Sequence, residues 1–348
     1  DARYFAPPLQ HPDWPRDQLD RWYEAPVSAL TLQDGCVDVT VGPGAAAGAP
    51  AVVRLAPAGT PLRVENRCTT VGKDGRHVVA VGRKPATDVI VVRGSVRLGS
   101  RPRTVSIALR DPAIVVGHVL RRALEAEGVS VGGQVRLATA DDPPASHGSV
   151  PIAGCATPLA QTVPVILKRS QNLWAESLCK VLGAERGGEG SFRAGSAVVR
   201  KRVLALGVAP EQIALVDGSG LARDNRASAR ALVTVLRAAA RGPNAALFVG
   251  ALPIGGLDGT LRKRLRDRPD AARVRAKTGT IRGVSTLSGY VLPARPGEAT
   301  LVFSILTNGV RGGAGAARRL QDRIVEVLLD THLPAQPAAT PAGAEAGR

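Results

Sequence analysis

The chain has 348 residues, 44% of them hydrophobic, which is enough to bury a large core and to divide into two or more domains. Its formal net charge is +17, mostly from arginine, but the positive residues are dispersed and only 3% of residues are aromatic, so no nucleic-acid surface is expected. No stretch approaches the roughly 18–20 uninterrupted apolar residues of a membrane span, and none is expected.

Residues 1–111 read as β structure. Runs rich in Val and Ile at 27–32, 37–41, 77–81, 89–98 and 104–109 are punctuated by Gly, Pro and Asp turns, and 42–50 is a Gly/Ala/Pro loop. The first helix with a clear period spans 113–127, where Val116, Val119, Leu120, Ala123 and Leu124 form one stripe and Gly128 stops it. The Pro/Ser/His/Gly-rich passage 141–148 reads as a linker. Helical texture follows at 159–167, 173–183, 192–207, 228–241 and near 245–249. Strands return at 273–276, 286–292 and 300–307, and a final helix covers 314–329. Consecutive strands backed by a terminal helix, without β-α-β units, predict an α+β fold. The Ala/Pro/Gly-rich tail 334–348 is expected to be disordered.

Of the four cysteines, Cys36 and Cys68 lie in the β-rich part and could pair if the protein is exported; Cys179 reads as a buried helix thiol. None has metal-ligand spacing with another Cys or with His, so neither a metal nor an organic cofactor is implied. The chain contains no Met and opens without a charged segment and apolar run of the signal-peptide kind, so either a signal peptide has been removed or the chain is truncated.

Two motifs carry chemistry. Lys277-Thr278-Gly279-Thr280 is expected at the end of a strand, where the Lys277 ammonium and the Thr278 hydroxyl can hold a substrate carboxylate. Gly279 would let a substrate backbone approach, and the Thr280 N–H would serve as an oxyanion donor. Ser170-Gln171-Asn172 lies in the break between two apolar helices, where a Ser hydroxyl near a lysine can relay a proton and an Asn amide can hold a peptide carbonyl. Each is weak alone: a K-T-G tripeptide recurs by chance, and Ser or Asn before a helix is an ordinary cap. Together they match two of the three signatures of penicillin-recognising serine enzymes.

The segment 168–176 resembles the second motif of the class C low-molecular-mass penicillin-binding proteins, the D-alanyl-D-alanine carboxypeptidase/endopeptidase family. Asp217-Gly-Ser-Gly-Leu-Ala-Arg223, the Leu-Pro-Ile-Gly-Gly-Leu-Asp-Gly-Thr run at 252–260, and 275–284 resemble further family segments in the family's order. Near the start, 13–17 and 25–29 resemble its inserted region. The resemblance implies a penicillin-binding/β-lactamase-like transpeptidase fold, incomplete here. Residues 1–148 would be the β-rich inserted region and 149–333 the C-terminal part of the catalytic domain. It implies acylation of a serine by the D-Ala-D-Ala end, or by the crosslink, of peptidoglycan stem peptides, with β-lactams as covalent inhibitors. Ser170 would assist proton transfer, Asn172 would hold the substrate amide, and Asp17 and Arg223 occupy positions that recognise the diaminopimelate side chain; for both, a surface ion pair or cap is the competing reading.

Two departures stand out. Gln171 replaces the usual Asp. The resemblance places the nucleophile motif S-x-x-K before the inserted region, and so upstream of residue 1; the sole match in the chain, Ser177-Leu-Cys-Lys180, shares a helix with Asn172 and cannot converge on it from a separate one. The expectation is therefore a truncated chain whose complete form carries a signal peptide and is periplasmic or exported. A non-catalytic peptidoglycan-binding protein that keeps the fold is the alternative, which upstream sequence would distinguish. A β-lactamase is disfavoured by the β-rich insertion and by the 217–223 segment.

Overall fold

The structure is a computed structural model and describes residues 1–143, 150 and 152–335. Six strands come first: β1 (Cys36–Gly42), β2 (Val52–Ala56), β3 (Arg63–Val71), β4 (Val78–Arg83), β5 (Val89–Arg97) and β6 (Arg103–Ala108). Helices α1 (Pro112–Ala126), α2 (Leu159–Arg169), α3 (Asn172–Gly187) and α4 (Phe192–Ala205) follow. Next come the two-residue strands β7 (Ile213–Ala214) and β8 (Arg226–Ala227) and helices α5 (Ala229–Arg241) and α6 (Ala245–Ala251). Strands β9 (Val274–Ile281), β10 (Val284–Val291) and β11 (Leu301–Asn308) and helix α7 (Gly315–Leu329) complete the order. The chain divides into two compact units, one of residues 1–156, 171–202 and 214–225 and the other of 157–170, 203–213 and 226 onward. The expected boundary at 148 lies outside the described residues.

In the first unit, β1 pairs antiparallel with β2 and β6, while β5 pairs parallel with β3 and antiparallel with β4. Alternation along β1 buries Val37, Val39 and Val41 on one face, and these pack with Ile90, Val92, Ile107, Leu109 and Val115 as one core. The Asp111 side chain caps α1 by accepting from the Ile114 N–H at 3.3 Å. A second cluster gathers Phe5, Trp14, Val27, Leu173, Phe192 and Ala222 around α3.

In the second unit, three antiparallel strands stand in the order β11-β10-β9, which makes β9 an edge strand. Val325 and Leu329 of α7 pack with Leu287, Val291 and Phe303. On the other side the buried Tyr290 donates its hydroxyl to the Leu236 carbonyl of α5 at 2.7 Å, beside Leu252. The sheet is thus sandwiched between helices, the α+β layering that the order of elements predicts.

Several expectations change. Residues 27–32 form no strand; Val27 is buried, but Pro26 precedes it and its N–H bonds to the Leu9 carbonyl instead of a ladder. Strands β2 and β3 escape the sequence pattern because so few of their side chains are buried, Cys68 and Thr70 alone in β3. Cys36 and Cys68 are free and buried in different sheets, so the conditional pairing is not formed; Cys179 is buried as expected. Pro334 bridges to Glu298 and the Ala335 N–H bonds to the Gly297 carbonyl at 2.8 Å, so the tail begins as ordered chain; 336–348 lie outside the described residues. Among the described residues, no helix is long and apolar enough to cross a membrane.

One buried charge in the first unit runs against the rest. Glu24 is fully buried, and neither carboxylate oxygen has a hydrogen-bond partner among the described residues. Burial, with Asp17 and Asp20 nearby, pushes its carboxyl up to about 7. A raised carboxyl means that the folded chain binds the extra proton between the ordinary 4.5 and about 7, so stability falls as pH rises through that window. Glu24→Gln is expected to stabilise the fold by ~1–3 kcal/mol at pH 8 and to lose that advantage below about pH 4.5, as read from urea midpoints. An advantage that does not change with pH would show that the carboxylate is solvated after all.

Candidate active site

Helix α2 ends at Arg169, and Ser170 turns the chain with left-handed φ and ψ of 56° and 50°, its N–H bonding back to the Ile166 carbonyl. A side-chain-bearing residue pays roughly 1–2 kcal/mol for that conformation, and such strain concentrates at functional positions. Gln171 then caps α3 with its own side chain, which accepts from the Leu173 N–H at 3.2 Å. The Ser170 hydroxyl accepts a hydrogen bond from the Lys277 Nζ at 2.7 Å, and the same amine donates to the Thr278 carbonyl at 2.6 Å. Residues 107 positions apart are thereby joined within the second unit.

Strand β9 does not stop before Lys277, as the sequence reading expects, but runs through it to Ile281; the hairpin turn is the short Arg282–Gly283 step, with Gly283 at a φ of +81°. The β-branched Thr278, Thr280 and Ile281 favour that continuation. On the outer edge of β9, the Gly255 N–H donates to the Val274 carbonyl and the Ala276 N–H to the Pro253 carbonyl, so the cover ends at Ala276, just before Lys277. The Gly279 position is tight on its Cβ side, where an added methyl would lie 2.5 Å from the Thr286 hydroxyl of β10. A larger residue there would have to turn the Thr286 hydroxyl aside.

The segment 252–260 is a brace for this corner. Lys168 Nζ pairs with Asp258 at 2.5 Å and donates to the Leu252 carbonyl at 3.1 Å, and Asp258 also accepts from the Ile254 N–H at 2.8 Å. Gly259, at a φ of +53°, passes so close to the end of α2 that a Cβ would sit 2.8 Å from the Lys168 carbonyl. Thr260 is thereby set to accept from the Thr278 hydroxyl at 2.9 Å. Lys168, Asp258 and Thr260 carry no assigned role in the sequence reading; only their place in family-like segments pointed to them.

Ser170, Thr278, Thr280 and Thr286 line a cleft of about 630 Å³ together with Thr260, Arg262, Lys263, Arg264 and Arg318. Among the described residues no carboxylate lines it. Burial pushes the Lys277 amine down to about 8, close to the point at which it can either hold or release a proton near neutral pH.

The other predicted residues belong to the first unit. Asn172 is the first residue of α3, and its amide donates to the Tyr23 carbonyl at 2.9 Å. Tyr23 and Asp17 line one cavity of about 470 Å³ with Gln18, Arg21 and Trp22, so Asn172 and Asp17 share a neighbour. Arg223 is exposed just after the 217–222 turn. In that turn buried Asp217 accepts from the N–H groups of Gly220 and Ala222, from Trp14 Nε1 and from Asn225 Nδ2. Buried Glu176 accepts from the N–H groups of Gly218 and Ser219, each at 2.8 Å. Desolvation, then the nearby Asp217 charge, pushes Glu176 up to about 7. Lys180, in the sole S-x-x-K, is fully buried, donates to the carbonyls of Ala6 and Pro8 and stands 4.3 Å over the Phe192 ring, which makes it a structural residue. Among the described residues, no group of three or more His, Cys, Asp or Glu is placed to hold a metal ion.

Because Lys277 holds its proton less firmly when folded than at its ordinary 10.5, the folded chain binds fewer protons between about 8 and 10.5, and stability rises with pH across that window. In lysine-labelled chain, the Lys277 Cε resonance, assigned by its loss in Lys277→Arg, is expected to titrate near pH 8. A midpoint near 10.5 would show that the amine is solvated.

The family model for the D-Ala-D-Ala carboxypeptidase 3 (S13) family matches residues 1–330. The D-alanyl-D-alanine carboxypeptidase of Actinomadura sp. (strain R39) is 36% identical over 330 residues, covering 91% of this chain and 60% of the relative. The carboxypeptidase DacB of Mycolicibacterium smegmatis is 33% identical over 217 residues, covering 60% of this chain and 45% of the relative. This chain therefore spans about half to three-fifths of the length of these relatives. Among solved structures, penicillin binding protein 4 (dacB) of Haemophilus influenzae superposes with a TM-score of 0.76 at 21% identity, over 94% of this chain and 74% of that one. The fold is thus that of the penicillin-binding peptidases, and the chain belongs to the D-Ala-D-Ala carboxypeptidase 3 (S13) family.

Proposed function

We propose that this chain is the larger part of a serine-type D-alanyl-D-alanine carboxypeptidase/endopeptidase that acts on peptidoglycan stem peptides through an acyl-enzyme. The observation that carries the reading is the 2.7 Å contact between Lys277 Nζ and the hydroxyl of Ser170, which lines a cleft whose described residues include no carboxylate. In the proposed reaction, a serine oxygen passes its proton to the activating lysine and attacks the carbonyl of the penultimate D-Ala, and the C–N bond breaks. The leaving amine takes a proton passed through Ser170, whose hydroxyl is replenished from Lys277, which regains its proton from solvent. Water then hydrolyses the ester and restores the serine. An amine near 8 suits that relay, since it exchanges its proton at little cost near neutral pH. The Thr280 N–H would stabilise the oxyanion, and Asn172 would hold the substrate amide from its Oδ1 side, its Nδ2 being engaged by Tyr23. Asp17 and Arg223 would meet the stem-peptide side chain.

The nucleophile and its activating lysine belong, in this reading, to the part of the relatives' length that this chain does not span. Ser177 is not the candidate, because Lys180 is committed to the Ala6 and Pro8 carbonyls. The substrate lies outside the cytoplasmic membrane, so the protein would be periplasmic or exported. Inhibition by β-lactams is part of the proposal, supported by a related H. influenzae protein solved in complex with a β-lactam, which superposes with a TM-score of 0.69.

Fluorescent penicillin is expected to label the full-length protein covalently and to leave the 348-residue chain unlabelled. A stable adduct on this chain would place the nucleophile within it. In the full-length protein, Ser170→Ala and Lys277→Ala are each expected to slow release of D-Ala from muropeptides by about 10²–10⁴-fold. Full activity in both variants would overturn the relay.

A further inference from the structure

The charges around the cleft are not equivalent. Arg264 is satisfied: its Nη2 lies 2.7 Å from the Asp322 carboxylate, and it also donates to the Arg318 carbonyl and to Gln321 Oε1. Arg318, one helical turn before Asp322, would be the natural intrahelical partner of that carboxylate, but Arg264 has taken it. Arg318 instead reaches toward β9, where its Nη2 lies 3.5 Å from the Thr280 hydroxyl, a long contact. Among the described residues no carboxylate pairs with it. It also stands in the first turn of α7, a turn without an acidic residue, where a positive charge opposes the helix dipole. Lys277, by contrast, has two donors committed to Ser170 and the Thr278 carbonyl, and burial weakens its hold on its charge.

We propose that Arg318 is a specificity-determining residue that anchors the ligand's terminal carboxylate, acting with the hydroxyls of Thr278 and Thr280, while Lys277 serves Ser170. This rests on the reading that the cleft takes peptides with a free C-terminal carboxylate. A guanidinium keeps its charge at every working pH and offers a planar pair of donors that fits a carboxylate on two oxygens. The two hydroxyls alternate with Lys277 along β9 and line the same cleft as Ser170, so the anion and the proton relay draw on different side chains of one strand edge. The division lets the relay lysine change protonation state without releasing the substrate.

The test compares two substrates that differ only at the anion: an acyl-D-Ala-D-Ala peptide with a free carboxylate and the same peptide as its C-terminal amide, hydrolysed by the full-length protein. The wild type is expected to favour the acid by at least about 10-fold in kcat/KM. Arg318→Gln should remove most of that preference by raising KM for the acid while sparing kcat and the amide. Arg318→Lys should restore part of it, and Arg319→Gln, the same loss of charge on the next residue and outside the cleft lining, should preserve it. An acid-to-amide ratio unchanged in Arg318→Gln, or an equal loss on both substrates, would overturn the assignment. A wild type that cleaves both substrates equally would leave the proposed function standing and defeat the role of Arg318; one that cleaves neither would defeat both.

Discussion

The bond between the Lys277 amine and the Ser170 hydroxyl is the constraint around which the second unit is arranged. Neither group reaches the other by local preference. Ser170 does so because the chain accepts a left-handed residue at the end of α2. Lys277 does so because it stands on a strand pinned by β10 on one side and by 253–255 on the other. The Lys168–Asp258 pair then ties the end of α2 to the same brace, so the helix end and the strand cannot drift apart independently. An amine drawn partly out of water is costly unless its donors are used, and here the two acceptors that use them also fix its position.

The first unit contains the complementary device, carboxylates that hold backbone. Asp217 and Glu176 between them accept from four successive or near-successive N–H groups of the 217–222 turn, the work otherwise done by secondary structure. A segment that reads in the sequence as a recognition motif is therefore first of all a folding motif. Its Asp and its glycines build the turn, and Arg223 is what the turn presents. Glu24 is a buried carboxylate without such donors; burial raises its proton affinity, as it does that of Glu176, but Glu24 holds no backbone in return.

What was legible in the sequence followed the physics of burial. The β1 and β5 strands announce themselves because buried Val and Ile residues recur along them, whereas α1 is announced by an apolar stripe of which Leu120, Ala123 and Leu124 stay exposed. β3 does not, since Arg63, Glu65 and Arg67 alternate with residues that are themselves largely exposed. The Lys277 and Ser170 motifs were legible as residue types, and their meeting as what the family resemblance implies; what holds the corner was not, because it depends on a Lys168–Asp258 pair 90 residues apart and on the close passage of Gly259. Arg318 was invisible for a related reason: its significance comes from Arg264 having claimed Asp322, a three-way relation that no linear pattern records. The pairing of Cys36 with Cys68 failed because adjacency in a β-rich stretch says nothing about which of two sheets each strand joins.

The partial cover on β9 has a consequence for self-association. An uncovered strand edge invites any extended chain to add to the sheet, and proteins guard such edges. Here the loop at 253–255 seals the edge up to Ala276, and the hairpin reverses after Ile281, so the exposed remainder is short and carries a lysine and a glycine. A guest strand of ordinary length finds too little ladder to hold, and fibril-like stacking is discouraged. In the proposed reading a brief peptide terminus would lose nothing by that brevity, so the same stub of open sheet would turn away its own kind while admitting a small visitor.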